Sequence, residues 1–130
     1  MIRFGYTILY VQDVKKSMAF YEAAFGFERV FITPEGDYGQ LNTGATALAF
    51  ASTELARTNL PDGYTESSLS NHPFAMELGF VTQDVEETVK QALSAGAVIV
   101  SDPRQKPWGQ TVAYLRDIDG FLIEVCTPIV

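Results

Sequence analysis

The chain has 130 residues, 47% hydrophobic and 19% charged, which supports a packed core and sets disorder aside. Its net charge is −7 with nine Lys and Arg, so it lacks the cations that nucleic acid or an anionic membrane would need. One cysteine, Cys126, excludes an intrachain disulfide, and one histidine, His72, excludes three-histidine zinc and two-histidine iron sites within one chain.

Residues 4–11 are β-branched and aromatic and read as a strand. Asp13 then offers an N-cap, and Val14, Met18, Tyr21 and Phe25 follow at helical spacing up to Gly26. Phe27 to Thr33 predicts a second strand, Pro34-Glu35-Gly36 a turn, Tyr38 to Leu41 a third strand, and Ala45 to Ala51 a fourth after Asn42-Thr43-Gly44. Residues 52–73 carry Ser, Thr, Asn, Pro and Gly and read as a long connection, a kind of segment that is often functional.

The pattern then begins again. Phe74 to Thr82 predicts a strand, and Asp84 an N-cap with Glu87 placed for a capping box. Val85, Val89, Ala92 and Leu93 form a helix stripe closed by Gly96. Ala97 to Val100 reads as a strand, Asp102 to Trp108 as a loop, Gln110 to Leu115 as a strand, Asp117 to Gly120 as a turn and Phe121 to Thr127 as the last strand.

The repeat decides the architecture. Tyr6–Asp13 matches Glu77–Asp84, and Val and a Gly-terminated helix follow both. Tyr38-Gly39-Gln40 recurs as Trp108-Gly109-Gln110, and Gly44 as Gly120. The expected fold is α+β, with two tandem βαβββ modules at 1–51 and 74–130 joined by 52–73. The modules should form a curved mixed sheet with a concave cleft and helices on the outer face. No apolar run approaches the ~18 residues of a membrane span. Met1–Gly5 lacks the features of a signal peptide, so a cytoplasmic protein is expected.

Tyr6 to Phe27 and Trp108 to Pro128, with the weaker Glu77–Gly96 segment, resemble the vicinal oxygen chelate superfamily. That superfamily includes glyoxalase I, bleomycin- and fosfomycin-resistance proteins and extradiol dioxygenases. The resemblance covers nearly the whole chain and is specific for fold; many chemistries share that fold. It implies four metal-ligand positions on the inner strands. These fall on Tyr6, on Leu48 (four beyond Gly44; a one-residue slip gives Ala47 or Ala49), on Glu77 and on Glu124 (four beyond Gly120). Two carboxylates and a phenol are a poor zinc or nickel set, so no cofactor is expected. The alternative is one hard divalent ion, Mg or Mn, on Glu77 and Glu124. A single histidine argues against an extradiol dioxygenase. The resemblance also implies a homodimer, with 52–73 reaching over the partner's cleft.

Strand alternation sets Glu77 and Glu124 opposite Leu78, Phe80, Ile123 and Val125, so the two glutamates should meet. Burial and like charge would raise at least one carboxyl and suit it to general acid or base work; a structural hydrogen bond to Tyr6, Gln40 or Gln110 is the plainer alternative. Tyr6, Tyr10, Phe50 and Trp108 are expected to stack a flat ligand and Leu48 to line the cleft; Cys126 shares the parity of Glu124 and is also expected to line it, with a buried inert thiol as the plainer alternative. Arg57, His72, Arg104 and Lys106 fall in loops at the rim, where solvated surface is the ordinary role. A Ser-His-Asp triad would depend on His72, which lies in a polar loop.

Three functions follow. The first is a module that binds a small, partly aromatic molecule in a metal-free cleft, of the sequestration or resistance type, with the acidic pair meeting an amine or cation. The second is a glyoxalase-like lyase or isomerase using Glu77 and Glu124 as general base or hard-metal ligands. The third is a partner-binding protein with no small ligand.

Overall fold

The computed structural model describes residues 1–129. Its elements run β1 (Tyr6–Val11), α1 (Val14–Phe25), β2 (Glu28–Ile32), β3 (Tyr38–Asn42), β4 (Ala47–Ser52), α2 (Thr53–Asn59), β5 (Leu78–Val81), α3 (Val85–Ala95), β6 (Val98–Gln105), β7 (Thr111–Arg116) and β8 (Leu122–Cys126). The mixed sheet expected over both modules takes the form of two four-stranded sheets. Their orders are β1-β4-β3-β2 and β5-β8-β7-β6. In each the outer first strand runs parallel to its neighbour and the other pairs are antiparallel.

The chain divides into two compact units, residues 1–22 with 26–66, and residues 23–25 with 67 onward. In the first, Asp13 accepts from the Lys16 N–H at 3.1 Å and starts α1, while Gly26 at φ 74° closes it. The ring of Tyr21 on α1 lies 5.4 Å from that of Phe50. A Cβ added at Gly39 would stand 2.4 Å from the Met18 sulfur, so glycine is what lets α1 come this close to β3. Leu9, Val11, Leu41, Leu48 and Phe50 form the buried face beneath it.

The second unit repeats the plan. Asp84 accepts from the Glu87 N–H at 3.0 Å. The Asp84 N–H donates to the Thr82 hydroxyl at 3.2 Å, which takes the place of the reciprocal Glu87 bond expected of a capping box. Val85, Val89 and Ala92 of α3 are buried, as are Ala113, Leu115, Ile123 and Val125 of the sheet. Each large apolar side chain so buried contributes roughly 1.5–3 kcal/mol. Leu93 is instead 39% exposed.

Other expectations are corrected. Residues 53–59 form a short helix inside the expected connection: Ser52 caps it by accepting from the Leu55 N–H at 3.0 Å. Residues 74–77 lie outside β5. β6 runs on through Pro103 to Gln105, where a loop was expected; its register breaks around Ser101 accommodate the proline on an edge strand. Tyr38-Gly39-Gln40 lies within β3, whereas Trp108-Gly109-Gln110 precedes β7. That shared triplet therefore marks no shared position.

Candidate functional site

The second sheet presents its chemistry on the face opposite α3. β8 pairs with β5 through Gly79–Glu124 and Val81–Cys126, and with β7 through Tyr114–Glu124 and Val112–Cys126. Alternation then sets Glu124, Cys126, Tyr114 and Val112 on one face, and Ile123, Val125, Ala113 and Leu115 on the other under α3. Glu77 immediately precedes β5 and has the parity of Gly79.

Glu77 and Glu124 meet there. The Glu77 carboxyl is raised above its ordinary value by loss of solvent, then by the charge of Glu124 and by a side-chain hydrogen bond to it. The residue as a whole is exposed, so the loss of solvent at its carboxyl is partial. Tyr114 donates its phenol proton to Glu124 at 3.0 Å. That bond, followed by burial and the nearby carboxylates, pushes the phenol up to about 12. Cys126 is buried; burial first, and then Glu124, push its thiol up to about 11. At neutral pH it is a thiol, not a nucleophilic thiolate.

Gln110 joins this cluster to the end of the sheet. Its side chain bonds Cys126, donates to the Thr127 carbonyl at 2.8 Å and accepts from the Trp108 indole N–H at 2.9 Å. Trp108 itself is 66% exposed. Sequence reasoning missed Tyr114, although its parity with Trp108 and Gln110 was legible.

The matching face of the first sheet is different. Tyr6 and Tyr10 lie opposite Ala47 and Ala51 on β4, with Ile8 opposite Ala49. Tyr6 is 54% exposed. Tyr10 carries the ring of Tyr64 edge-on at 5.0 Å. The Tyr64 hydroxyl is buried with no hydrogen-bond partner among the described residues, and burial, then Glu66, raises its pKa.

Leu48 and Phe50 do not join this face. Both are buried with the Tyr21 side of the sheet, so their expected ligand-lining role is corrected. The reason is a turn length. Leu48 pairs with Leu41 as Ile123 pairs with Leu115, yet Gly44 stands four residues before Leu48 and Gly120 only three before Ile123. Counting from the glycine therefore slips by one, and the partner of Glu124 in the repeat is Ala49. Of the rim cations, Arg57 is ion-paired with Glu66, while His72 and Arg104 are exposed and Lys106 is half-buried.

The four positions that the resemblance assigns to metal ligands thus hold a phenol, a methyl group and two carboxylates. Among the described residues no three His, Cys, Asp or Glu side chains cluster to hold an ion. This donor set does not fit a four-ligand transition-metal centre.

Residues 3–125 match the model of the Glyoxalase/Bleomycin resistance protein/Dioxygenase superfamily. The chain is 29% identical over 119 residues to YraH of Bacillus subtilis, covering 90% of this chain and 91% of that one. It is 27% identical over 127 residues to the virulence protein STM3117 of Salmonella typhimurium, covering 95% and 82%. A glyoxalase-related enzyme from Fulvimarina pelagi superposes with TM-score 0.85 at 19% identity, over 98% of this chain and 89% of that one. A family enzyme from Burkholderia phytofirmans gives 0.84 at 20% identity, over 99% and 100%. At those identities the two structures establish the fold alone. No helix among the described residues is long and apolar enough to cross a membrane.

Proposed function

We infer that this chain, which belongs to the Glyoxalase/Bleomycin resistance protein/Dioxygenase superfamily, binds a small, partly aromatic organic molecule bearing an amine or other cation. The reading is of a metal-independent module of the sequestration type. One observation carries it: the Glu77–Glu124 pair on the face of the second sheet opposite α3, where two carboxyls meet and, among the described residues, no three His, Cys, Asp or Glu side chains are grouped to hold an ion. Two adjacent carboxyls repel when both are ionised, which adds to the loss of solvent in holding the Glu77 carboxyl above its ordinary value. An ammonium group relieves that repulsion, with charge-assisted hydrogen bonds to both oxygen sets. Tyr114 holds the Glu124 carboxylate in place for it, and the raised thiol of Cys126 leaves an uncharged floor beside it.

Calorimetric titration of the intact protein with flat amine-bearing compounds tests the reading. Binding that disappears in both Glu77→Gln and Glu124→Gln supports it; binding unaffected by either variant contradicts it.

The raised Glu77 carboxyl favours a second reading, a lyase or isomerase in which Glu77 moves a proton. This reading expects Glu77→Gln to bind ligand while losing turnover; wild-type turnover in that variant removes it. The working form is taken to be a homodimer, for which exposed Tyr6 and Ile8 on edge strand β1 supply apolar surface. A monomer mass at micromolar concentration contradicts this.

A further inference from the structure

We propose that the ligand is an extended molecule whose neutral planar ring lies in a separate groove at the Trp108 end of the second sheet, while its cation reaches the Glu77–Glu124 pair. The proposal rests on the cation-binding reading above and adds the ring site, the spacing and the neutrality of the ring.

The groove has a volume of ≈ 370 Å³, and its lining includes Gln83, Trp108, Gln110, Thr127 and Pro128. No Lys, Arg, Asp, Glu or His lines it, so nothing there would compensate a buried charge on the ring. The indole is fixed rather than free, because its N–H is held by Gln110 while the ring stays exposed. A pre-set aromatic plane stacks a flat ring at little entropic cost. Both ends of the Gln110 amide are engaged. Among the described residues the Gln83 side chain has neither a hydrogen bond nor an ion pair, so its amide is available to a lactam- or amide-like edge of the ring.

The spacing comes from the strands. Thr127 stays paired with Thr111 beyond the end of β8, so the chain is extended from Glu124 to Pro128. Four residues of strand span about 13 Å. The intervening surface holds Cys126, Val81 and Gly79, with no charge. A Cβ built at Gly79 meets nothing within 4 Å, so there is open space beside Glu124 in which a linker can lie. Because the backbone there is not left-handed, Gly79→Leu fills the space without strain.

Three probes test the proposal on the full-length chain: quinolin-2-one as the ring alone, hexylammonium as the cation alone, and quinolin-2-one bearing a 6-aminohexyl chain. Trp108 is the only tryptophan, so its fluorescence reports the ring site directly, and calorimetry gives affinity. The expected result is quenching by quinolinone and by the linked probe, but not by hexylammonium. The linked probe should bind at least about ten-fold tighter than either half, a gain lost in Trp108→Ala and in Gly79→Leu. Three results overturn the proposal: hexylammonium and the linked probe binding equally with Trp108 unperturbed, quinolinone quenching with no gain from the linked amine, or a gain that survives Gly79→Leu. The first leaves the cation site standing. Failure of hexylammonium and the linked probe to bind at all overturns the cation-binding reading as well.

Discussion

The two sheets share strand order, register and a helix on one face, yet their opposite faces differ. In the second unit that face carries Glu77, Glu124, Tyr114 and Cys126; in the first the same positions hold Tyr6, Ala49, Gln40 and Ala51. The helix-covered faces hardly differ: Leu48 and Phe50 match Ile123 and Val125, and all four are buried. Packing constrains the side that must exclude water, while the other side is free to take on chemistry. In the first unit it carries uncharged side chains, among them Tyr6, Tyr10 and Gln40, and is partly capped by Tyr64; in the second it carries acids.

The contrast between faces is tested most severely in the first unit. Phe50→Ala empties a fully buried ring site and should cost about 3–5 kcal/mol in denaturant unfolding. Tyr6→Ala, on the opposite face, should cost far less than that. Equal losses would break the distinction.

Next in size is the contrast between units. Glu124→Gln should weaken an amine-bearing ligand roughly ten- to hundred-fold, the scale of a lost charge-assisted hydrogen bond, with the fold intact by circular dichroism. Affinity should also rise with pH as the pair gives up its proton. An affinity that falls over that range would contradict the account.

A smaller effect concerns stability against pH. Glu77 is raised in the folded chain, so its contribution is fully present below the ordinary glutamate value and is lost as pH rises through the folded value. Glu77→Gln should therefore be more stable than the wild type at neutral pH, the difference closing on acidification. A gap that widens in acid would contradict the sign. Smallest of all, Cys126 should resist a thiol reagent at pH 8 and react fully only on unfolding, because its thiol is both buried and pushed up to about 11.

Much of this was legible in the sequence. Asp13, Gly26, Asp84 and Gly96 marked both long helices because caps are local chemistry, and period-two alternation set Glu77 and Glu124 on one face. What failed was counting across turns. The glycines of the two hairpins are not equivalent, so Leu48 was placed one residue away from Ala49. The Tyr38-Gly39-Gln40 resemblance misled for a similar reason: identity without register. The helix at 53–59 escaped because seven residues give hardly two turns of periodicity, and its Ser52 cap sits at a strand end. Tyr114 was missed because a tyrosine in a strand reads equally as packing; only the 3.0 Å bond to Glu124 marks it out.

The central claim is that Glu77 and Glu124 act as one acidic pair. Carboxyl carbon NMR of glutamate-labelled protein, titrated from pH 3 to 9, tests it directly. The expected Glu77 signal titrates above the ordinary glutamate range and moves down toward that range in Glu124→Gln, stopping short of it because the loss of solvent remains. A Glu77 that titrates in the ordinary range in the wild type, unmoved by that substitution, would contradict it.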